Sequence, residues 1–311
     1  MVFFQMIEPA TVIGVDIGGT KAAIGAVSLP DGEVLETVLL PTPTGAASGD
    51  AFLDSLARQV AAFIDRRSDG PPAIGLSVCE LVDVEGKIRS GHRVQWKGLD
   101  PVARFSEILP TAIESDVRAA ALAEARLGAG RHYRQFFYLN LGTGVSSCLV
   151  LDGKPHAGHR GNALAIASSP ISLRTKQGEI ASQVLEDVAG GEGLARLAAM
   201  AGLKAGSAKE LITLAESGEP HAQALIGDAA RAVGVSLGLA VNILDPEAVI
   251  VGGGLAGAEG LFWEAIQRET RAHIWSDDTR PLPILKGSLG SDAALIGAAL
   301  TAYAMSSPKL R

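Results

Sequence analysis

Residues 12–21 read VIGVDIGGTK, and this stretch decides the fold. An apolar run that ends in glycines is typical of a buried strand followed by a tight turn. A second apolar run, AAIGAVS at residues 22–28, comes directly after the turn. Two apolar runs joined by a short glycine turn predict a β-hairpin at the start of the chain.

The same pattern recurs in the middle of the chain. Residues 136–151 read FFYLNLGTGVSSCLVL, which is again an apolar run, a glycine-containing turn and a second apolar run. This repetition indicates an internal duplication. Strands and helices alternate through the first half, and the remainder is largely helical. Together these features predict an α/β protein with two mixed lobes around a cleft.

No linker rich in proline, glycine or serine separates the predicted lobes. We therefore expect the boundary at a hinge near residue 115. The N-terminal lobe would span residues 1–115 and the C-terminal lobe residues 116–290. The final helix, within residues 291–311, is expected to pack back on the first lobe.

The composition narrows the function classes. The 311 residues are 47% hydrophobic, and 27 basic against 34 acidic residues give a net charge of −7, which argues against nucleic acid as the main partner. Two cysteines cannot form a disulfide framework, which fits a reducing cytoplasm. The opening MVFFQMIEP lacks a basic segment, and no run of about 20 apolar residues occurs. We expect neither a signal peptide nor a membrane span.

The first glycine turn is a candidate phosphate site. Glycines without Cβ atoms let backbone N–H groups approach phosphate oxygens closely, and a carboxylate at the strand end can hold a hydrated Mg²⁺. A hairpin turn with a structural aspartate would show the same residues. The candidate residues are Asp16 for magnesium through water, and Gly18, Gly19, Thr20 and Lys21 for phosphate.

Three further glycine segments extend this hypothesis to a nucleotide. Residues 142–144 repeat the first turn, so two loops could clamp one triphosphate. Residues 242–254, NILDPEAVIVGGG, lead a strand into a triple glycine that suits a purine or ribose, although a plain strand-to-helix turn fits as well. A helix-to-glycine junction at residues 185–191 could supply the opposite wall. The candidates are Gly142, Thr143, Gly144, Gly190, Gly191, Gly252, Gly253 and Gly254.

Ser115 and Asp116 precede an alanine-rich helix. Both residue types are preferred at helix N-termini, so a capping role explains them. Phosphoryl transfer to an alcohol also needs a carboxylate within reach of the attacking hydroxyl, so Asp116 is a candidate general base as well.

Taken together, these segments resemble the ROK family, whose members are sugar kinases and sugar-responsive repressors of the actin/hexokinase/Hsp70 superfamily. DIGGTK and LGTGVSS resemble its two phosphate motifs, ILDPEAVIVGGGLA its adenosine segment, and SLGSDAALIGAALTA its closing helix. The resemblance implies a two-lobed actin-like ATPase (ribonuclease H-like) fold with a central nucleotide cleft. It also implies ATP and Mg²⁺ as cofactors, a cytoplasmic homodimer, and Asp116, in ESDVRAAALAE, as the catalytic base.

Several positions depart from the family pattern. Ser115 and Arg118 stand at two asparagines of the catalytic segment. Ala165 and Ser168 stand at the glutamate and histidine of the Gly-Glu-x-Gly-His motif, whereas Glu186 matches a family glutamate. Cys79 and Glu80 replace Pro-Gly, and His92 and Arg93 lie where the family has a sugar-binding asparagine before a tryptophan, here Trp96.

The replaced positions are those that would surround a hexose, while the nucleotide segments and the base are kept. Losing hydrogen-bond partners for ring hydroxyls makes glucose a poor acceptor. A modified sugar, an amino sugar or a cyclitol is expected instead. The candidate acceptor contacts are Ser115, Asp116, Glu186, Glu80, His92, Arg93, His159, Arg160 and Asn162, of which the last three could equally be solvated loop residues.

The family's structural zinc takes one histidine and three closely spaced cysteines. This chain has only Cys79 and Cys148, and Gln177, Glu179 and Val184 stand at the cysteine positions. A thiolate-rich site therefore cannot form, and we expect no zinc.

Two other function classes compete with the kinase. A sugar-responsive repressor needs a DNA-binding helix-turn-helix, but about ten residues precede the first strand and the net charge is negative. A non-catalytic sugar or nucleotide binder fits the altered acceptor positions, but it would have little need for Asp116 together with intact phosphate loops.

Overall fold

The computed structural model describes residues 9–163, 165–174 and 180–306. The chain forms two compact units. Unit 1 comprises Met1–Arg131, Asp152–Ala163 and Asp292–Arg311, and unit 2 comprises His132–Leu151 and Leu164–Ser291. This division places the helix that begins at Asp116 in unit 1, whereas the second lobe was expected to begin there.

Strands and helices are numbered along the chain. The strands are β1 (Ala10–Ile17), β2 (Lys21–Leu29), β3 (Glu33–Pro41), β4 (Ile74–Val78), β5 (Thr111–Ser115), β6 (Gln135–Leu141), β7 (Val145–Leu151), β8 (Lys154–Pro155), β9 (Pro170–Arg174), β10 (Ile180–Val184), β11 (Ala248–Gly252) and β12 (Ile284–Lys286). The α-helices are α1 (Asp50–Asp65), α2 (Pro101–Ser106), α3 (Asp116–Arg126), α4 (Leu185–Ala189), α5 (Gly191–Met200), α6 (Ala208–Glu216), α7 (Pro220–Leu244), α8 (Leu261–His273) and α9 (Ala293–Ser306).

Unit 1 contains a mixed sheet in the order β3-β2-β1-β4-β5. The predicted first hairpin is confirmed, because β1 and β2 pair antiparallel. β1, β4 and β5 run parallel, with Asp16 level with Ser77 and Val78 level with Ser115. The carboxyl ends of parallel strands share one edge of a sheet, so the register brings Asp16 and the residues after β4 and β5 to the same edge.

One side of this sheet is covered by α1. Its buried residues Phe52, Leu53, Leu56, Val60 and Phe63 recur at helical spacing and share one apolar core with residues of β1, β2 and β4. This burial explains why the segment forms a helix, and it fixes the strands that carry the site.

The final helix, α9, packs against β1, β4 and α3. Glycines make this close approach possible. A Cβ atom on Gly75 would lie 1.8 Å from the carbonyl oxygen of Ala298, and one on Gly297 would lie 1.8 Å from that of Ala119. The backbone of α9 thus touches both the sheet and the helix that begins at Asp116.

Unit 2 repeats the hairpin theme. Four of its strands lie in the order β12-β11-β6-β7, and the predicted second hairpin is confirmed by the antiparallel pairing of β6 with β7. β11 runs parallel to both β6 and β12. A separate two-stranded hairpin is formed by β9 and β10.

The longest described helix of unit 2 is α7, which packs against α8 and α6. Among the described residues it is the one helix long and apolar enough to cross a membrane, but 61% of its most apolar window is buried inside the protein. A core helix has this character, because it is apolar on most of its circumference.

Replacing Gly75 by alanine is expected to destabilise the protein by about 1–3 kcal/mol, because the added Cβ would press on the backbone of α9. The measurement is the free energy of unfolding in urea. Gly227→Ala in α7 is the matched control: a Cβ there meets no atom within 4 Å, so a gain of about 0.5–1 kcal/mol is expected. Equal stability of the two variants would contradict this account of α9.

Candidate active site

Asp16 is the penultimate residue of β1, at the shared strand edge of unit 1. The fully buried hydroxyl of Ser77, on β4, donates a hydrogen bond to its Oδ1. Burial raises the pKa of Asp16 above its ordinary value; the Ser77 bond and the charge of Lys21 oppose this rise, and Asp292 adds to it. The hairpin turn that follows is closed by the N–H of Gly18, which donates to the carbonyl of Lys21 at 3.0 Å.

Asp116 is the first residue of α3 and follows β5 at the same edge. Burial is the main cause that raises its pKa to about 7, and the charges of Asp16 and Glu80 raise it further. The N–H of Val117, which donates to Oδ1 at 2.6 Å, and the charge of Arg118 act in the opposite direction. A carboxyl group with a pKa near neutrality is suited to general acid–base chemistry.

Ser115 and Cys79 border this carboxylate. The Ser115 hydroxyl is buried, makes no capping bond to α3, and has no hydrogen-bond partner among the described residues. The Cys79 N–H donates to the carbonyl of Ile17 at 3.0 Å. Burial, with the charges of Asp116, Glu80 and Asp16, raises the pKa of the Cys79 thiol, so the thiol stays protonated at neutral pH.

Glu80 is a buried carboxylate that organises a neighbouring loop. It accepts hydrogen bonds from the Ser90 hydroxyl and from three backbone N–H groups, those of His92 at 3.0 Å, Arg93 at 2.6 Å and Val94 at 2.9 Å. A carboxylate offers about four acceptor sites, so these donors fill them. The arrangement therefore favours a positioning role for Glu80 over direct contact with an acceptor.

The loop that Glu80 holds lies against the first glycine turn. A Cβ atom on Gly19 would meet the aliphatic stem of Arg93 at 3.2 Å. The side chains of His92 and Arg93 are exposed. The structure thus brings these two predicted acceptor contacts beside the predicted phosphate turn.

His159 and Asn162 lie on the segment of unit 1 that spans residues 152–163, and both are exposed, as is Arg160 between them. Gly161 in this segment has φ +77°, and a Cβ atom there would lie 2.2 Å from the carbonyl oxygen of Val82. This contact places the segment next to the residues that follow Glu80.

In unit 2, the second glycine turn is fastened to the start of α5. The N–H of Gly142 donates to the carbonyl of Gly144 at 2.9 Å, and the N–H of Gly191 donates to the carbonyl of Gly142 at 2.9 Å. The N–H of Glu192 donates to the carbonyl of Thr143 at 3.0 Å. Gly190 precedes this junction as the N-terminal cap residue of α5.

Glu186, on α4, supports the same turn. Its Oε2 accepts a hydrogen bond from the N–H of Val145 at 2.9 Å. A Cβ atom on Gly144 would lie 2.3 Å from that oxygen, so only glycine lets the carboxylate approach. In this arrangement Glu186 holds the predicted phosphate loop.

The triple glycine at residues 252–254 reaches the same place in unit 2. The N–H of Leu255 donates to the carbonyl of Leu141 at 2.9 Å, and Gly253, with φ +89°, packs onto that carbonyl. Around Gly254 a Cβ atom would meet nothing within 4 Å. The three glycine segments of unit 2 that the sequence singled out therefore meet, and Gly254 borders open space.

Asp16 fits the requirements of Mg²⁺. Magnesium keeps several waters and takes one or two carboxylates together with phosphate oxygens. Across residues 9–163, 165–174 and 180–306 no three histidine, cysteine, aspartate or glutamate residues cluster as a metal site. A cation at Asp16 would thus be completed by water and phosphate.

The zinc prediction rests on the cysteine count. Cys79 and Cys148 belong to different units, Val184 ends β10, and Gln177 and Glu179 lie outside the described residues. The absence of zinc stays a prediction.

The protein has an actin-like ATPase fold. Its mixed sheets, its two glycine hairpins and the carboxylates of Asp16 and Asp116 are consistent with this class. The sequence profile of the ROK family matches residues 12–304, and the chain belongs to this family. The family prediction is confirmed.

Three relatives illustrate the match. A glucokinase from Streptomyces coelicolor is 29% identical over 312 residues, covering 92% of this chain and 96% of its own. An N-acetyl-D-glucosamine kinase from Shigella flexneri is 31% identical, and the match covers 82% of this chain and 88% of that kinase. A crystal structure of a ROK family glucokinase from Streptomyces griseus in complex with glucose and AMPPNP superimposes with a TM-score of 0.79 at 28% identity. The match covers 94% of this chain and 99% of that glucokinase chain. The predicted fold class is confirmed, whereas the roles of individual site residues stay predictions.

Sequence reasoning did not find Ser77. It is the one polar residue in the buried run AIGLSV, and a lone polar residue in a buried strand is the signal that could have pointed to a partner for Asp16.

Glu80→Gln is expected to loosen the loop at residues 90–94 and to lower the free energy of unfolding by about 2 kcal/mol. The amide keeps the shape but replaces a charged acceptor by a neutral one and points an NH₂ group at N–H donors. Urea unfolding and amide hydrogen exchange at His92 and Val94 measure it. The control is Glu85→Gln, because Glu85 is an exposed carboxylate in the turn that follows Glu80 along the chain. Indistinguishable exchange in the two variants would refute the role of Glu80.

Proposed function

We propose that this protein is an ATP-dependent kinase that transfers the γ-phosphoryl group to a hydroxyl of a sugar or a sugar-like polyol. One observation carries the proposal: Asp116, with a pKa of about 7, stands at the same sheet edge as Asp16 and its glycine turn. Membership in the ROK family and the sugar kinases among its relatives support it.

In the proposed reaction Asp116 accepts the proton of the attacking hydroxyl. The hydroxyl oxygen forms a bond to the γ-phosphorus while the bond between that phosphorus and the β–γ bridging oxygen breaks, and ADP leaves. Mg²⁺, held through water by Asp16, would offset the charge of the β- and γ-phosphates. Proton acceptance needs the carboxylate, which is available to a useful extent at neutral pH when its pKa is about 7.

We propose that ATP is bound by backbone groups of the glycine segments. Gly18, Gly19, Thr20 and Lys21 would approach the phosphates in unit 1. In unit 2, the turn at residues 142–144 is held by Glu186 and by the start of α5, so its N–H groups are ordered in advance. The open space at Gly254 would take the adenosine part.

For the acceptor we propose a modified sugar, an amino sugar or a cyclitol in preference to glucose. Ala165 and Ser168 offer no carboxylate or imidazole to ring hydroxyls, and both are exposed. Glu80 has its acceptor sites filled by its own loop. A site built without these partners favours a ring whose hydroxyls are substituted or replaced. His92, Arg93, His159 and Asn162 are the proposed contacts.

We further propose a cytoplasmic protein whose partners are small molecules and a second copy of the chain. Leu239 and Ile243 on α7 and Trp275 after α8 are exposed apolar residues of unit 2, and the backbone N–H of Trp275 donates to Asn242 Oδ1 at 2.9 Å. An exposed apolar cluster of this kind suits a homodimer contact. Light scattering should give about twice the mass of one chain, 32.0 kDa; a mass of one chain would exclude the dimer.

Asp116→Asn is expected to lower phosphoryl transfer by about a thousandfold while nucleotide affinity stays close to that of the wild type, because the amide cannot accept the proton. The measurement is ADP release across a panel of sugars, amino sugars and cyclitols, with ATP affinity from calorimetry. Asp228→Asn, an exposed aspartate on α7, controls for the loss of one charge.

Transfer by Asp116→Asn at the wild-type rate would contradict the base assignment. If the wild-type protein binds ATP but no acceptor in the panel leads to ADP release, the result would favour the alternative, a non-catalytic binder.

A further inference from the structure

Arg118 is a buried arginine two residues after Asp116 on α3. It is 6% exposed, and its guanidinium reaches three elements. Nε donates to Glu114 Oε1 at 2.7 Å, Nη1 to the carbonyl of Gly161 at 2.7 Å, and Nη2 to the carbonyl of Val82 at 2.6 Å. The guanidinium is therefore paired with one carboxylate and satisfied by two backbone carbonyls, as a buried charge requires.

The geometry uses properties that only arginine has. A guanidinium presents its donors in a rigid planar fork, so one side chain can bind a carboxylate and two carbonyls that lie in different directions. The two carbonyls themselves are close, because a Cβ atom on Gly161 would lie 2.2 Å from the oxygen of Val82. Arg118 thus joins two backbone segments where they already touch.

These two segments carry the proposed acceptor contacts. The segment that includes Val82 begins with Glu80, which holds the backbone of His92 and Arg93. The segment that includes Gly161 carries His159 and Asn162, and it is closed by the N–H of Ala163, which donates to the carbonyl of Ala157 at 3.1 Å. Both segments are consequently tied to the helix that presents Asp116.

We propose that Arg118 is a positioning residue for the acceptor: it fixes the segment at residues 157–163 relative to Asp116. The inference rests on the proposed function, since it assigns the acceptor side of the same reaction. It also gives a reason for one departure from the family pattern, because an asparagine at this position could not reach Glu114, Gly161 and Val82 together.

The first test separates acceptor binding from nucleotide binding. In Arg118→Met the segment at residues 157–163 loses its hydrogen bond to α3. The KM for the acceptor should therefore rise by about tenfold or more, whereas the KM for ATP should change by less than about twofold. If Arg118 only stabilised the fold, its loss would reduce the amount of active enzyme and lower kcat, but it would not raise the KM for the acceptor selectively over the KM for ATP.

A second variant guards against misfolding of the first. Arg118→Lys keeps the charge and most of the length but lacks the fork, so its acceptor KM should lie between those of the wild type and Arg118→Met. The matched control is Arg89→Gln, because the half-exposed guanidinium of Arg89 pairs with the buried carboxylate of Asp83 and bonds to neither carbonyl. Its acceptor KM should equal that of the wild type.

A third measurement needs no substrate. Amide hydrogen exchange at Ala163 should be at least about tenfold faster in Arg118→Met than in the wild type and in Arg89→Gln. Unchanged exchange together with an unchanged acceptor KM in both Arg118 variants would overturn the inference. A wild-type protein that phosphorylates nothing would instead overturn the proposed function, and the exchange experiment would still decide whether Arg118 fixes the segment.

Discussion

The like charges of Asp16 and Asp116 at one sheet edge are the constraint on which the site depends. Two partly buried carboxylates that sense each other cannot both ionise readily, and burial adds to this cost. Asp16 is favoured as the ionised member because Ser77 donates to it and Lys21 lies near. Asp116 consequently titrates near neutrality, where it can exchange a proton with an alcohol. A cation beside Asp16 would stabilise the ionised pair, which fits the proposed magnesium-dependent chemistry.

In each unit, charged side chains hold the loops of the predicted site in place. In unit 1, Glu80 and Arg118 fasten two irregular segments, and the contact of α9 with the sheet and with α3 fixes the elements from which the carboxylates project. In unit 2, Glu186 and the start of α5 fasten the second glycine turn. In both units charged side chains are satisfied by backbone groups of loops, which gives loops a defined shape without regular secondary structure.

The sequence was a good guide wherever the chemistry is local. Apolar runs with glycine turns predicted both hairpins, and the motifs predicted the family and the fold class. Two kinds of feature escaped it. The β9–β10 hairpin and the short helix α2 were not predicted, although Asp100 and Pro101 form an N-terminal helix signal. The role of Glu80 depends on donors 10 to 14 residues away, and that of Arg118 on carbonyls about 36 and 43 residues away, so neither shows in a local pattern.

The most direct measurement of the central claim is the titration of Asp116 itself, followed by NMR on protein with ¹³C-labelled aspartate carboxyls and assigned with Asp116→Asn. A pKa of about 7 is expected in the wild type. The pKa should fall in Asp16→Asn, because the neutral amide removes the like charge that favours the protonated form. A wild-type pKa near the ordinary aspartate value of about 3.9, unchanged in Asp16→Asn, would contradict the coupling of the two carboxylates.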